Sequence, residues 1–254
     1  LFYWQFDQRR SPDDHAAALA HVTWLEGFGS VADQVRRTGV VANHLWEHGL
    51  GRGEPAPAQL HRAAHLLRFD LVTEMIKDGK EFTRLEGLIA ARYAEAAGED
   101  PAVCRALQQS QWPRGAADEL PADRIGSALA VAWRLDTLAG CWLAGFEPTG
   151  AKDPYALRRH ALAILRIVVG LGARLDLAAA LDVALAPYAE IRPDADLIAA
   201  RDRILEFVAV RLEGWLVDAH GADPAIVRAV LPVRGHAPAD AVAWVTALDR
   251  FRER

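Results

Sequence analysis

The chain is short of several things, and each shortage excludes a class of protein. It has 254 residues and only two cysteines, Cys104 and Cys141, each inside an apolar helical stretch. A disulfide scaffold is excluded, and buried thiols in a reducing compartment are expected. No apolar run approaches the roughly 20 residues that span a bilayer, so a membrane helix is not expected. Glycine-rich phosphate loops, a Gly-x-Ser-x-Gly elbow and Cys-x-x-Cys pairs are all missing, so no self-sufficient active site is apparent. Positive charge is also scarce: 29 Lys and Arg stand against 34 Asp and Glu, a net charge of -5. A polyanion cannot be held by the overall field and would need local basic clusters. The opening Leu1-Phe2-Tyr3-Trp4 has neither an initiator Met nor the regions of a signal peptide, and reads as part of a longer chain.

What is present is 52% hydrophobic residues, enough for a large core, in a pattern punctuated as helices are. Ser11-Pro12, Asp100-Pro101, Asp153-Pro154 and Asp223-Pro224 each place a capping side chain before a proline at the first helical position. Ser30-Val31-Ala32-Asp33 predicts a capping box, opening a helix that runs to Gly49 as a left-handed cap. Leu60, Ala63, Ala64, Leu67, Leu71 and Met75 predict a second continuous amphipathic helix ending at Lys77-Asp78-Gly79-Lys80. Further helices are expected at about 82–97, 101–111, 124–144, 154–169, 175–189, 194–219, 224–231 and 238–252. No strand and no repeat is expected. The fold class is all-α: a helical bundle over residues 1–170 followed by a smaller one over 171–254, with Gly170-Leu171-Gly172 as the boundary.

Few residues are arranged for chemistry. His44-Leu45-Trp46-Glu47-His48 matches the H-x-x-E-H zinc pattern formally, but the glycines after His48 end the helix there. His61 and His65 form a second pair four apart, which raises a binuclear site of the HD-phosphohydrolase kind. Against it, Phe69 precedes Asp70 where such a site needs His, Trp133 stands where the later metal-binding Asp aligns, with Asp136 beside it, and Gln34 falls near the early His. Asp70 and Glu74 are read as one helical face, a solvated edge or salt-bridge site. No metal ligands and no catalytic residues are assigned. The eight tryptophans are scattered and read as core packing. Two basic clusters remain as phosphate-contacting candidates: Lys77, Lys80 and Arg84 around a polar turn, and Lys152, Arg158 and Arg159 at a helix start.

The blocks Leu71-Val72-Thr73-Glu74-Met75, Glu81-Phe82-Thr83-Arg84-Leu85-Glu86-Gly87, Arg134-Leu135-Asp136-Thr137-Leu138 and Pro148-Thr149-Gly150-Ala151-Lys152-Asp153-Pro154-Tyr155-Ala156-Leu157-Arg158-Arg159 resemble, in order and spacing, the beta subunit of the bacterial heterotetrameric glycyl-tRNA synthetase. The resemblance implies an HD-like helical domain without its metal site, followed by a helical segment that precedes an anticodon-binding domain beyond Arg254. It implies glycine tRNA and the synthetase alpha subunit as partners, with neither DNA nor membrane involved, in the cytoplasm. ATP and Mg are then used by the holoenzyme on the alpha subunit, with no cofactor in this segment. The implied role is a non-catalytic, tRNA-contacting and scaffolding part of an ATP-dependent ligase. An active HD-type phosphohydrolase and a pure subunit-interaction scaffold are the rival readings.

Overall fold

A computed structural model describes residues 2–78, 82–115 and 117–252. Among them the fold is all-α, with no strand beyond the isolated bridges Thr23 to Ser30 and Thr149 to Lys152. The helices are α1 (Phe2–Asp7), α2 (Pro12–Ala18), α3 (Val31–Leu45), α4 (Ala58–His65), α5 (Glu74–Lys77), α6 (Leu88–Ala96), α7 (Pro101–Gln109), α8 (Arg124–Leu143), α9 (Leu157–Gly170), α10 (Leu177–Leu185), α11 (Leu197–Gly214), α12 (Pro224–Arg234) and α13 (Pro238–Arg252). The expected capping box at Ser30 closes and a second forms at Ser11: the Ser11 and Ser30 hydroxyls accept the N–H groups of Asp14 and Asp33, whose carboxylates return to Ser11 and Ser30.

The centre is α8. Its sequence is apolar on every side, and a helix without a polar face belongs inside. Residues from Gly126 to Trp142 are buried apart from Trp133, and α3, α7, α9, α10 and α11 pack around them. Gly140 is required here, because a Cβ on it would lie 1.9 Å from the Trp24 ring. One apolar core runs from Ala16 to Val245, passing across the Gly170–Gly172 turn without a break. Cys104 and Cys141 lie in it as free thiols.

Three expectations are corrected. The helix opened by Ser30 gives way at Trp46 to a wider turn ending at Leu50, and Gly49 is extended (φ 169°) rather than left-handed. Glycine is needed there because a Cβ would meet Leu175 at 2.5 Å. The second amphipathic helix is not continuous. It stops at His65, Arg68 turns left-handed (φ 66°), and a short 3-10 turn, Phe69–Val72, leads to α5. Arg68 is held in that conformation by distant partners: Glu86 at 3.2 Å, Gln111 at 3.2 Å and the Trp133 ring at 4.7 Å. At Asp153-Pro154 the helix begins three residues late. Ala156 is left-handed, and the Asp153 carboxylate reaches past it to accept the N–H groups of Leu157 at 2.7 Å and Arg158 at 3.0 Å.

Candidate nucleic-acid interface

Gln34, Trp133 and Asp136 meet at the contact of α3 with α8, Phe69 and Asp70 lie on the 3-10 turn before α5, and their chemistry is not that of a metal site. Gln34 is fully buried and donates from Nε2 to the Thr137 hydroxyl at 3.2 Å. Trp133 packs on an apolar cluster of Leu19, Val31, Val35, Leu67 and Val72. An amide, a phenyl ring and an indole at these places cannot supply the imidazole and carboxylate donors that two divalent ions need, so the residues do not fit that cofactor. Among the described residues no group of three or more His, Cys, Asp or Glu is placed to hold a metal ion.

The two carboxylates there have structural work instead. Asp70 is 1% exposed, and its Oδ2 accepts the N–H of Gly87 at 2.6 Å and of Ala90 at 3.2 Å, capping the start of α6 across the chain. It therefore shares no face with Glu74, which sits on α5 and pairs with Lys77 at 3.6 Å. Burial pushes the Asp70 carboxyl above the usual range, opposed by the Arg68 charge and the Gly87 N–H. Asp136 is paired with Arg37 at 2.8 Å and accepts the Tyr188 hydroxyl at 3.1 Å. Burial pushes it up to about 6 against the pull of Arg37, whose guanidinium lies over the Trp24 and Tyr188 rings.

The histidine pairs are ordinary surface features. His44 and His48 stack at 4.2 Å, with the His48 ring nitrogen 3.0 Å from the His44 carbonyl. His65 lies 2.9 Å from Asp13, which also takes both Nη groups of Arg62.

The basic candidates divide. Lys77 is exposed and pairs loosely with Glu74; Lys80 lies outside the described residues. Arg84 and Lys152 are exposed with no carboxylate in ion-pair range among the described residues. Arg158 folds back, donating to the Gly150 carbonyl at 2.7 Å and pairing with Asp153 at 3.8 Å, which makes it a clasp of its own turn. The first N–H groups of α9 are occupied by Asp153, so any phosphate contact here falls to side chains. Arg159 points outward and lines a cleft with Arg114 and Arg166. Arg114 donates to the carbonyls of Arg84 and Glu86, which brings the first cluster beside the second. Arg166 donates to the carbonyls of Gly115 and Asp118, both at 2.8 Å. Sequence reasoning missed Arg114 and Arg166. Arg166 was within reach, being seven residues after Arg159 and so on the same helical face.

The class of protein defined by these features is an all-α module with a basic edge and, among the described residues, no group of three or more His, Cys, Asp or Glu placed to hold a metal ion. The chain belongs to the glycyl-tRNA synthetase beta subunit family, whose match covers residues 1–232. It is 39% identical over 252 residues to the glycine–tRNA ligase beta subunit of Ectopseudomonas mendocina, covering 99% of this chain and 35% of that protein. The beta subunit of Desulforamulus reducens is 38% identical over 253 residues (99% and 36%), and that of Myxococcus xanthus 38% over 234 (91% and 32%). The chain thus spans about a third of the length of the curated relatives it matches. No helix among the described residues is long and apolar enough to cross a membrane.

Proposed function

We propose that this chain is the non-catalytic, tRNA-contacting and scaffolding segment of a glycine–tRNA ligase beta subunit, working with an alpha subunit in the ATP-dependent charging of glycine tRNA in the cytoplasm. The observation that carries the reading is the family match over residues 1–232. The site agrees with it: Gln34, Phe69 and Trp133 offer no metal chemistry, while Arg84, Lys152 and Arg159 are exposed without carboxylate partners among the described residues. On this reading ATP and Mg act on the alpha subunit, and the segment itself needs no cofactor. Residues 1–170 act as the HD-like part and 171–254 as the helical part leading onward.

The test is titration of the complete subunit with glycine tRNA and a non-cognate tRNA at two salt concentrations, after metal analysis of the same sample. Salt-sensitive binding by metal-free protein is the expected result. Stoichiometric metal without RNA affinity would return the phosphohydrolase. Neither signal would leave the scaffold reading, for which one feature speaks: Trp244, Leu248 and Phe251 form an exposed apolar stripe on α13.

A further inference from the structure

Resting on the RNA-contact reading above, we propose that the cleft between the Pro113–Gly115 turn and the outer face of α9 is a seat for one phosphodiester group of the RNA backbone, with Arg159 as its principal ligand. The cleft has a volume of about 30 Å³ and is lined by Arg114, Arg159 and Arg166 over Leu162 and Ala163. Arg114 and Arg166 each spend two N–H groups on backbone carbonyls, which fixes their guanidinium planes and leaves further donors unspent. Arg159 makes no hydrogen bond or ion pair among the described residues and is exposed. Preset donors beside a free one are what a phosphate, with its several acceptor oxygens, can engage.

A second observation lies behind the wall of the cleft. Arg134 is 5% exposed, and its guanidinium is held entirely by carbonyls: Ala130 at 2.7 Å, Pro113 and Gln111 at 3.0 Å, and Ser110 at 3.3 Å. No carboxylate pairs with it among the described residues, and its Nε has no partner. Burial holds it down to about 10, still a cation at neutral pH. An uncompensated buried charge is costly, and with no carboxylate to neutralise it Arg134 adds positive potential to the cleft, whose Pro113 wall its guanidinium holds through the Pro113 carbonyl. The same field is felt by His160 between Arg159 and the core: burial, then the Arg134 and Arg159 charges, lower it to about 3, so it stays neutral. The loop carboxylate of Asp118 is engaged by the Arg114 backbone N–H at 2.7 Å.

The experiment uses the complete subunit assembled with its alpha partner and compares wild type, Arg159→Ala, Arg159→Lys and, as a charge-matched control on the outer surface of α12, Arg228→Ala. Binding of glycine tRNA is measured across a salt series, with ethylation interference mapping the phosphates in contact. Arg159→Ala is expected to weaken binding about three- to tenfold, to lower the salt slope by about one contact, and to erase interference at one or two adjacent phosphates. Arg159→Lys should keep most of the slope, and Arg228→Ala should change neither slope nor footprint. An unchanged footprint and slope in Arg159→Ala, or an equal loss in Arg228→Ala, overturns the cleft while leaving RNA contact intact. Absence of salt-sensitive binding in the wild type would remove the broader reading and the cleft together.

Discussion

The two ends of the molecule start their helices by different means. In the C-terminal third the side-chain caps are local: Asp176 accepts the N–H groups of Ala178 and Ala179, Asp196 that of Ala199, and Asp223 those of Ala225 and Ile226, and only the Leu177 N–H of α10 goes to a distant backbone carbonyl, that of His236 at 2.8 Å. In the N-terminal part, two starts are capped from far along the chain. Asp7 accepts the N–H groups of Glu74 at 2.8 Å and Met75 at 3.1 Å, together with the Tyr93 hydroxyl at 2.8 Å. Asp70 does the same for Gly87 and Ala90. A local cap needs only its own helix, and water can replace it. A remote, buried cap ties tertiary structure to helix initiation, so neither forms without the other.

The comparison breaks first at Asp70. Asp70→Ala leaves two buried N–H groups without acceptors, and a loss of about 4 kcal/mol is expected in urea unfolding. Asp7→Ala removes three bonds at the edge of the fold, where the short α1 can yield and admit water, and about 3 kcal/mol is expected. Should either cost no more than a surface cap, remote capping is ornamental and the contrast between the two regions falls.

That contrast also marks what could be read in advance. Ser11, Ser30, Asp100 and Asp223 lie next to the helices they start, so type and spacing are enough. The helix at about 124–144 is also expected from its sequence, whereas its central place is shown by its burial among α3, α7, α9, α10 and α11. Periodicity from Leu60 to Met75 misled, because the left-handed turn at Arg68 depends on Glu86, Gln111 and Trp133, none of them near it in sequence. Without that turn the spacing sets Asp70 on a helical face with Glu74 and hides its capping of α6. The basic edge was half legible for the same reason: Arg159 follows from its own helix, whereas Arg114 joins it only through a turn packed against α9.

The local side of the comparison is sharpened by Asp176. Its Oδ1 caps α10 at 2.8 Å and 3.3 Å from an exposed position, and Asp176→Ala is expected to cost about 1 kcal/mol. Asp176→Asn keeps the acceptor and should recover most of it in the same urea series. A loss as large as that of Asp70→Ala would mean that the C-terminal helices, too, depend on long-range consequences of their caps.

Asp13 separates distance along the chain from burial. It is more remote from its partners than Asp70, 49 and 52 residues along the chain against 17 and 20, accepting Arg62 and standing 2.9 Å from His65, yet its side chain is 51% exposed. Hydrogen bonding from Arg62, assisted by His65, lowers its carboxyl to about 2. A folded-state value below the unfolded one contributes stability that is present above the unfolded value, near 3.9, and is lost as pH falls through about 2. Solvent screening at this exposure limits the contribution to below about 1 kcal/mol. Asp13→Asn should therefore unfold slightly more easily than wild type at about pH 6, with the gap closing as pH approaches about 2 and shrinking in about 1 M salt. A gap at about pH 6 comparable to that of Asp70→Ala would show that remoteness alone sets the cost; a small one that vanishes in acid assigns it to burial.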